Sequence, residues 1–388
     1  MKNFLIAFVA FVLSVNSGYA QDVIDIGQDI GKTASQIKKA KEDDGLFGKK
    51  GKDAGELSLP DAQGGEKKEK GFFAKIGDYF FGDDDSDELK KENAETQEQY
   101  IARMEKLAEE GDLKTQKALA YVYLYGKNGF PLNKQKAFTY YEMAAEQGDS
   151  TALNNLGSLY FNGIGVQVNY QKAIELFEEA AKAGSSEAAL NLGFIYLSGR
   201  NAVSNAAHAV EKFSMAAEKG SVVAKFMLGY ANYRGFGTKQ DLKLASKLIK
   251  EAADEDFDEA QYVIGYMYLH GIGIVKNYDN AEKYLTYAMK QGNMSAMMEL
   301  ANNLAAGPIL LPKPEVAYII YSVAAVMGEK SAGALRDEVE PKIKREVLPQ
   351  VQATAENFEP KPSEITEYAR KTFGENIRGY IDENVSQK

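Results

Sequence analysis

Residues 151–184 read TALNNLGSLYFNGIGVQVNYQKAIELFEEAAKAG, and the pattern recurs along the chain at a step of 36. Ala152, Ala188, Ala224, Ala260, Ala296 and Ala332 form one register, and Ala137, Ala173, Ala209, Ala245, Ala281 and Ala317 a second. Gly163, Gly199, Gly235, Gly271 and Gly307 form a third. A constant step of this length marks stacked supersecondary units, each burying its apolar face on the next.

Inside the quoted unit, Ala152, Leu156 and Tyr160 lie on one helical face, at i, i+4 and i+8. Gly163 follows at the helix end, where a residue without Cβ takes a left-handed cap. After the GIGV turn comes Asn169, matched by Asn133, Asn205, Asp241 and Asn277, residue types that cap helix N-termini. Ala173, Phe177, Ala180 and Ala181 form the stripe of a second helix, ended by Gly184. Ser185, with Asp149, Ser221 and Asn293 in register, caps the next first helix. Alanine at the helix crossing lets two axes approach at the short end of the ~8–10 Å range. Phe177, with Tyr141, Phe213, Ile249, Leu285 and Tyr321 in register, fills the space beside it. The pattern predicts an all-α chain built from about six helical hairpins.

The pattern A-x-x-x-L-G-x-x-Y-x-x-G-x-G-V, then A-x-x-x-F/Y-x-x-A-A-x-x-G, resembles the Sel-1-like repeat of the tetratricopeptide-like solenoids. It recurs as AALNLGFIYLSG, AKFMLGYANYRGFG and AQYVIGYMYLHGIGI, and the resemblance covers roughly residues 97–358. It implies a right-handed solenoid of helix-turn-helix repeats. Bacterial members rich in cysteine carry a Cys pair in each repeat; this chain has no cysteine, so it resembles the exported type without them. The copies also depart from the pattern: SGRNAV replaces the Gly-x-Gly turn of the third, Asn232 the tyrosine of the fourth, and Ala301 the helix glycine of the sixth.

In such solenoids the first helix of each unit lines the concave face, which implies a partner-binding groove at Asn155, Asn191, Phe194, Phe226, Tyr230, Tyr233, Tyr262 and Tyr266. Asn155 and Asn191 match the slot where tetratricopeptide relatives often place an asparagine that binds a peptide backbone. Phe226 with Tyr230, and Tyr262 with Tyr266, stand four residues apart, so each pair shares a face and together they form an aromatic floor. The competing reading is that these rings fill space between neighbouring first helices.

The flanks read differently. Lys2, the apolar run Phe4–Val15 and the small residues Gly18 and Ala20 form a secretory signal over 1–20. The run is shorter than the ~20 residues a spanning helix needs, and no second long apolar run follows, so the expected mature chain has no transmembrane segment. Residues 21–95 are rich in Gly, Lys, Asp and Glu, as in KKGKDAGEL, a composition expected to stay mostly disordered. Within them GFFAKIGDYFFG, 71–82, has helical spacing of its aromatic residues and is expected to dock on the first repeat, with a partner motif or membrane contact as alternatives. The repeats occupy 96–358. In 359–388, after Pro360 and Pro362, Ser363 caps a last helix carrying Ile365, Tyr368, Ala369 and Phe373, expected to pack back on the repeats or to pair with another chain. Between these, Pro341 is expected to open a capping helix that Pro349 kinks or splits.

Composition bounds the chemistry. The 388 residues carry a net charge of -10 with scattered Lys and Arg, which gives no footprint for nucleic acid. Two histidines, His208 and His270, are too few for a histidine-built metal site. There is no Ser-His-Asp spacing, metal-ligand cluster or phosphate loop, so no enzyme activity, metal or cofactor is expected. The expected function is a non-enzymatic scaffold, adaptor or regulator, periplasmic, secreted or at the cell surface, that binds a protein or peptide segment along the concave face. Two alternatives are a modulator of a peptidoglycan hydrolase, with a cell-wall enzyme or envelope protein as partner, and a surface or secreted virulence or host-contact factor.

Overall fold

The computed structural model describes residues 96–127, 129–198, 205–307 and 310–385. The signal segment, the polar extension with its aromatic segment 71–82, and Gly199 lie outside the described residues. Among the described residues there are sixteen α-helices and no strand.

The chain divides into two compact units between Ala188 and Ala189. The first holds α1 (Gln97–Glu109), α2 (Leu113–Tyr125), α3 (Lys134–Glu146), α4 (Ser150–Asn162) and α5 (Tyr170–Lys182). The boundary falls within α6 (Ser186–Ser198). The second unit continues with α7 (Ala206–Glu218), α8 (Val222–Arg234), α9 (Leu242–Asp254), α10 (Asp258–His270), α11 (Tyr278–Lys290), α12 (Met294–Ala306) and α13 (Pro314–Val326). It ends with α14 (Ala332–Val339), α15 (Leu348–Glu356) and α16 (Glu364–Val385). Consecutive helices pack on one another from α1 to α5 in the first unit and from α7 to α14 in the second, where α15 packs on α13, the arrangement of an α-solenoid of hairpin repeats.

Both alanine registers lie where the sequence places them: every one of the twelve is 0% exposed. The caps also form. Asn133, Asn169, Asn205, Asp241 and Asn277 each accept the backbone N–H of the third helical residue. Asp149, Ser185, Ser221 and Asn293 do the same for first helices. Each such cap is worth about 1 kcal/mol, so the hairpin boundaries are written locally.

The helix glycine has a role that periodicity did not reveal. A Cβ on Gly229 would stand 2.8 Å from Ile249 Cγ1, and one on Gly265 would stand 2.9 Å from Leu285 Cγ. On Gly157 and Gly193 it would meet the rings of Phe177 and Phe213 at 3.0 and 2.4 Å. The bulky second-helix residue is therefore a knob, and the first-helix glycine is the hole that receives it. The second glycine of the Gly-x-Gly turn serves a different contact. At Gly273, φ is +67° and a Cβ would lie 2.0 Å from the carbonyl oxygen of Leu242, the first residue of α9. Successive repeats thus touch backbone to backbone at this turn.

Three features differ from expectation. Gly307 is extended, with φ -66°, and does not take the left-handed cap seen at Gly163, Gly235 and Gly271. Pro341 does not open a capping helix; it sits in a 3-10 turn, Glu340–Lys342. The next helix starts at Leu348 with Pro349 in its first turn, where the missing N–H costs no helical hydrogen bond.

Candidate functional site

The eight expected groove residues are mostly covered. Asn155, on α4 in the first unit, is 4% exposed. On the second unit, Phe194, Phe226, Tyr230, Tyr233 and Tyr262 are buried, and Asn191 and Tyr266 are half-buried. Phe226 stacks on Tyr230 at 5.9 Å between centroids and meets Phe257 edge-on at 5.2 Å. Tyr230 lies 5.8 Å from Tyr233. Burial raises the phenol of Tyr233 above its ordinary value, and the neighbouring Tyr266 adds to this. Tyr266 is raised in turn by burial and by Glu299. Both phenols therefore stay neutral and able to donate a hydrogen bond at physiological pH.

On this face the second unit already carries a helix. Phe373 of α16 stacks on Phe194 of α6, with centroids 4.4 Å apart and planes 20° from parallel. Thr366, Ala369, Phe373 and Ile377 are all buried, and they fall on one face of α16. The last helix thus packs back on the repeats, and Ser363 caps it by accepting the N–H of Thr366 at 3.2 Å.

The lead-in to α16 is held by backbone and side-chain hydrogen bonds. Lys361 N donates to Lys290 O at 2.8 Å, and Ser363 N donates to Gln291 Oε1 at 2.8 Å. Gln291 Nε2 also donates to Gln261 Oε1 and to Asp256 O. Ser363 Oγ donates to the same Asp256 carbonyl at 2.7 Å.

The centre of this contact is the sequence Asp256-Phe257-Asp258, where the repeat is irregular. Asp256 stands in the register of Gly148, Gly184, Gly220, Gly292 and Gly328, and like the glycines it has positive φ, +64°. Phe257 stands where α4, α6, α8 and α12 are preceded by Asp, Ser, Ser and Asn, and it makes no side-chain cap. The cap comes from elsewhere in the chain: Asp258 N donates to Thr366 Oγ1 at 3.1 Å. Asp258 itself, 0% exposed, accepts Arg370 Nη2 at 2.6 Å and Asn293 Nδ2 at 3.1 Å, both on Oδ2. Its Oδ1 and Arg370 Nε are buried without a hydrogen-bond partner. A buried pair left half-satisfied gives little net stability, although removing either partner alone is costly.

The remaining polar clusters are pairs and triads between neighbouring helices. Tyr284 donates to Asp254 Oδ1 at 2.6 Å, and Lys250 donates to Asp254 Oδ2. Burial and then the bond to Asp254 push the Tyr284 phenol up to about 12. His270 stands 4.3 Å from the Tyr266 ring and 3.8 Å from Glu299 Oε1, and His208 lies exposed, 5.4 Å from the ring of Tyr196. No group of three His, Cys, Asp or Glu among the described residues is placed to hold a metal ion. No helix among the described residues is long and apolar enough to cross a membrane.

Stacked helical hairpins, capped at most joints and bearing an aromatic first-helix face, define a helical-repeat protein of the kind that generally serves as a protein-interaction scaffold. The Sel1 repeat profile matches five consecutive segments, 114–149, 150–185, 186–221, 222–257 and 258–293. Residues 114–293 are therefore an array of Sel1 repeats. Among solved structures the chain is similar to a protective antigen present in uropathogenic Escherichia coli strains, with TM-score 0.62 and 24% identity over 74% of this chain. The chain spans 61% of the length of that protein. It is also similar to a Sel1 repeat protein from Oxalobacter formigenes, with TM-score 0.54, 26% identity, and coverage of 60% of this chain and 94% of that one. No curated protein matches.

Proposed function

We propose that the chain is a non-enzymatic scaffold that binds a protein or peptide segment along the first-helix face of its repeats, after export from the cytoplasm. The observation that carries the binding reading is α16. The face bearing Phe194 and Asp258 holds a helical segment through a ring stack, a donated helix cap and an ion pair. A surface built to take one amphipathic helix has the chemistry to take another. Export rests on Lys2, the apolar run Phe4–Val15 and the small residues Gly18 and Ala20.

Two measurements test this. A photo-crosslinking residue replacing half-buried Tyr266 is expected to capture a protein partner in cells. The same residue replacing Tyr278, 44% exposed at the start of a second helix, is expected not to. Capture only from position 278 would overturn the first-helix assignment. Mass spectrometry of the mature chain is expected to find an N-terminus at or within a few residues of Gln21; an intact Met1 would overturn export.

A further inference from the structure

The docking of α16 coincides with the place where the repeat pattern breaks. At step 36 the chain offers Gly and then Asp, Ser or Asn before every other capped first helix from α4 to α12, yet it offers Asp256 and Phe257 before α10. Each irregular residue is used by the C-terminal segment or lies beside its site. The carbonyl of Asp256 accepts Ser363 Oγ, the uncapped N–H of Asp258 is taken by Thr366, and the Asp258 carboxylate takes Arg370. Phe257, 1% exposed, packs on Phe226 beneath this site. Four contacts of α16, at Thr366, Arg370, Phe373 and Ile377, are spaced 4, 3 and 4 residues apart, which puts them on one helical face.

Two features lower the cost of releasing α16. Its charged pair is half-satisfied, so α16 gains little from it in net terms. Pro360 and Pro362 precede the helix, so the segment before α16 cannot continue α15 as one rigid helix.

We infer that the Phe194–Asp258 face is a receptor for an amphipathic helix, that α16 is its resident occupant in cis, and that a partner helix binds there only by displacing α16. The inference rests on the scaffold reading above. The partner it fits presents a hydroxyl residue, an arginine one turn later and an aromatic residue one turn beyond that, on one helical face. A tethered occupant competes at an effective concentration of order millimolar, so the resident helix sets a threshold that a partner must exceed.

The test uses the full chain and a fluorescein-labelled synthetic peptide of residues 360–380, followed by fluorescence anisotropy. In the variant Arg370→Glu with Phe373→Ala the cis helix is released while Asp258 and Phe194 remain. The peptide is expected to bind this variant at least tenfold more tightly than the unaltered chain. Adding Asp258→Ala to the variant is expected to remove that gain. Equal binding to the unaltered chain and the variant, or no binding to the variant while circular dichroism shows its helices intact, would overturn the proposal.

Hydrogen exchange gives a second readout that needs no variant. Amides of 364–377 are expected to exchange faster than those of α10 and α12, through local release. Exchange of all three at one common rate would overturn detachability. Partner capture from position 266 is scored separately. Equal capture by the unaltered chain and the variant would remove the gate and leave the scaffold reading standing. A tenfold peptide gain without any partner capture would leave the gate and remove the scaffold reading.

Discussion

Arg370 Nη2 lies 2.6 Å from Asp258 Oδ2, joining residues 112 positions apart in the chain. Asp258 is wholly buried and Arg370 keeps 26% of its side chain exposed. This one pair ties the C-terminal helix to the start of α10, beside the helix cap that Thr366 supplies. The same face carries most of the residues expected to bind a partner.

Removing Arg370 alone should be costly because it leaves the Asp258 carboxylate buried and without its cation. Arg370→Ala is expected to lower the stability of the second unit by about 3 kcal/mol, the low end for a broken buried pair because the arginine is partly exposed. The double variant Asp258→Leu with Arg370→Met is expected to recover to within about 1 kcal/mol of the unaltered protein. Urea unfolding of the three chains checks this. A neutral Arg370→Ala would show that solvent, rather than the arginine, satisfies the carboxylate.

Gly229→Ala should overpack the hole that receives Ile249, since the new Cβ would stand 2.8 Å from Ile249 Cγ1 and 3.1 Å from its backbone nitrogen. A loss of ~1–3 kcal/mol is expected, larger than the gain in helix propensity of ~1 kcal/mol. Ala209→Leu, at a 0% exposed crossing position, is expected to cost a similar amount. Thermal unfolding checks both. A stabilised Gly229→Ala would mean that the glycine does not hold the knob.

Asp256 takes the left-handed conformation that the other copies give to glycine. Asp256→Gly and Asp256→Asn are expected to be tolerated, although glycine gives up the bond from Gln261 Nε2 to Asp256 Oδ1. Asp256→Val is expected to cost ~1–2 kcal/mol, because a β-branched side chain is strained at this φ. Should valine unfold at the same urea concentration as the other two, the backbone there is free to relax.

The Tyr284–Asp254–Lys250 triad predicts a pH dependence with a fixed sign. The folded phenol of Tyr284, raised by burial and by Asp254 to about 12, resists ionisation that an unfolded tyrosine undergoes near 10. Its contribution to stability is therefore complete below about pH 10 and is lost between about 10 and 12. At Asp254, burial works upward, and the hydrogen bonds from Lys250 and Tyr284 outweigh it, so the carboxyl lies below its ordinary value. That contribution is present above about pH 4 and is lost as pH falls through the lowered value. Tyr284→Phe is expected to flatten the alkaline fall in melting temperature and to shrink the acid fall, because Asp254 loses one of the bonds that lower it. An unchanged profile at both ends would show that the triad is not coupled.

Much of this architecture was readable along the chain because its determinants are local. A capping side chain sits three residues from the N–H it satisfies, and a crossing alanine repeats every 36. The knob-and-hole pairs are also periodic, but only the fold shows that the position of Gly229 receives Ile249. The aromatic first-helix positions are legible in the sequence, while the stacking of Phe373 on Phe194 is not. The break at Asp256-Phe257-Asp258 was visible as three irregular letters at a regular step, and that irregularity was the available signal.

The sequence by itself determined the hairpin repeats, their caps and the burial of both alanine registers, because each depends on side chains within one helical turn or one repeat. It also marked the last helix and its Ser363 cap. Only the tertiary structure decided that Thr366 caps α10, that Arg370 neutralises Asp258, and that Phe373 lies on Phe194. Those contacts join residues more than a hundred positions apart, where no periodicity relates one to the other. The choice among possible partners for a buried carboxylate or an open ring face is made by where the folded chain brings α16, not by any local preference.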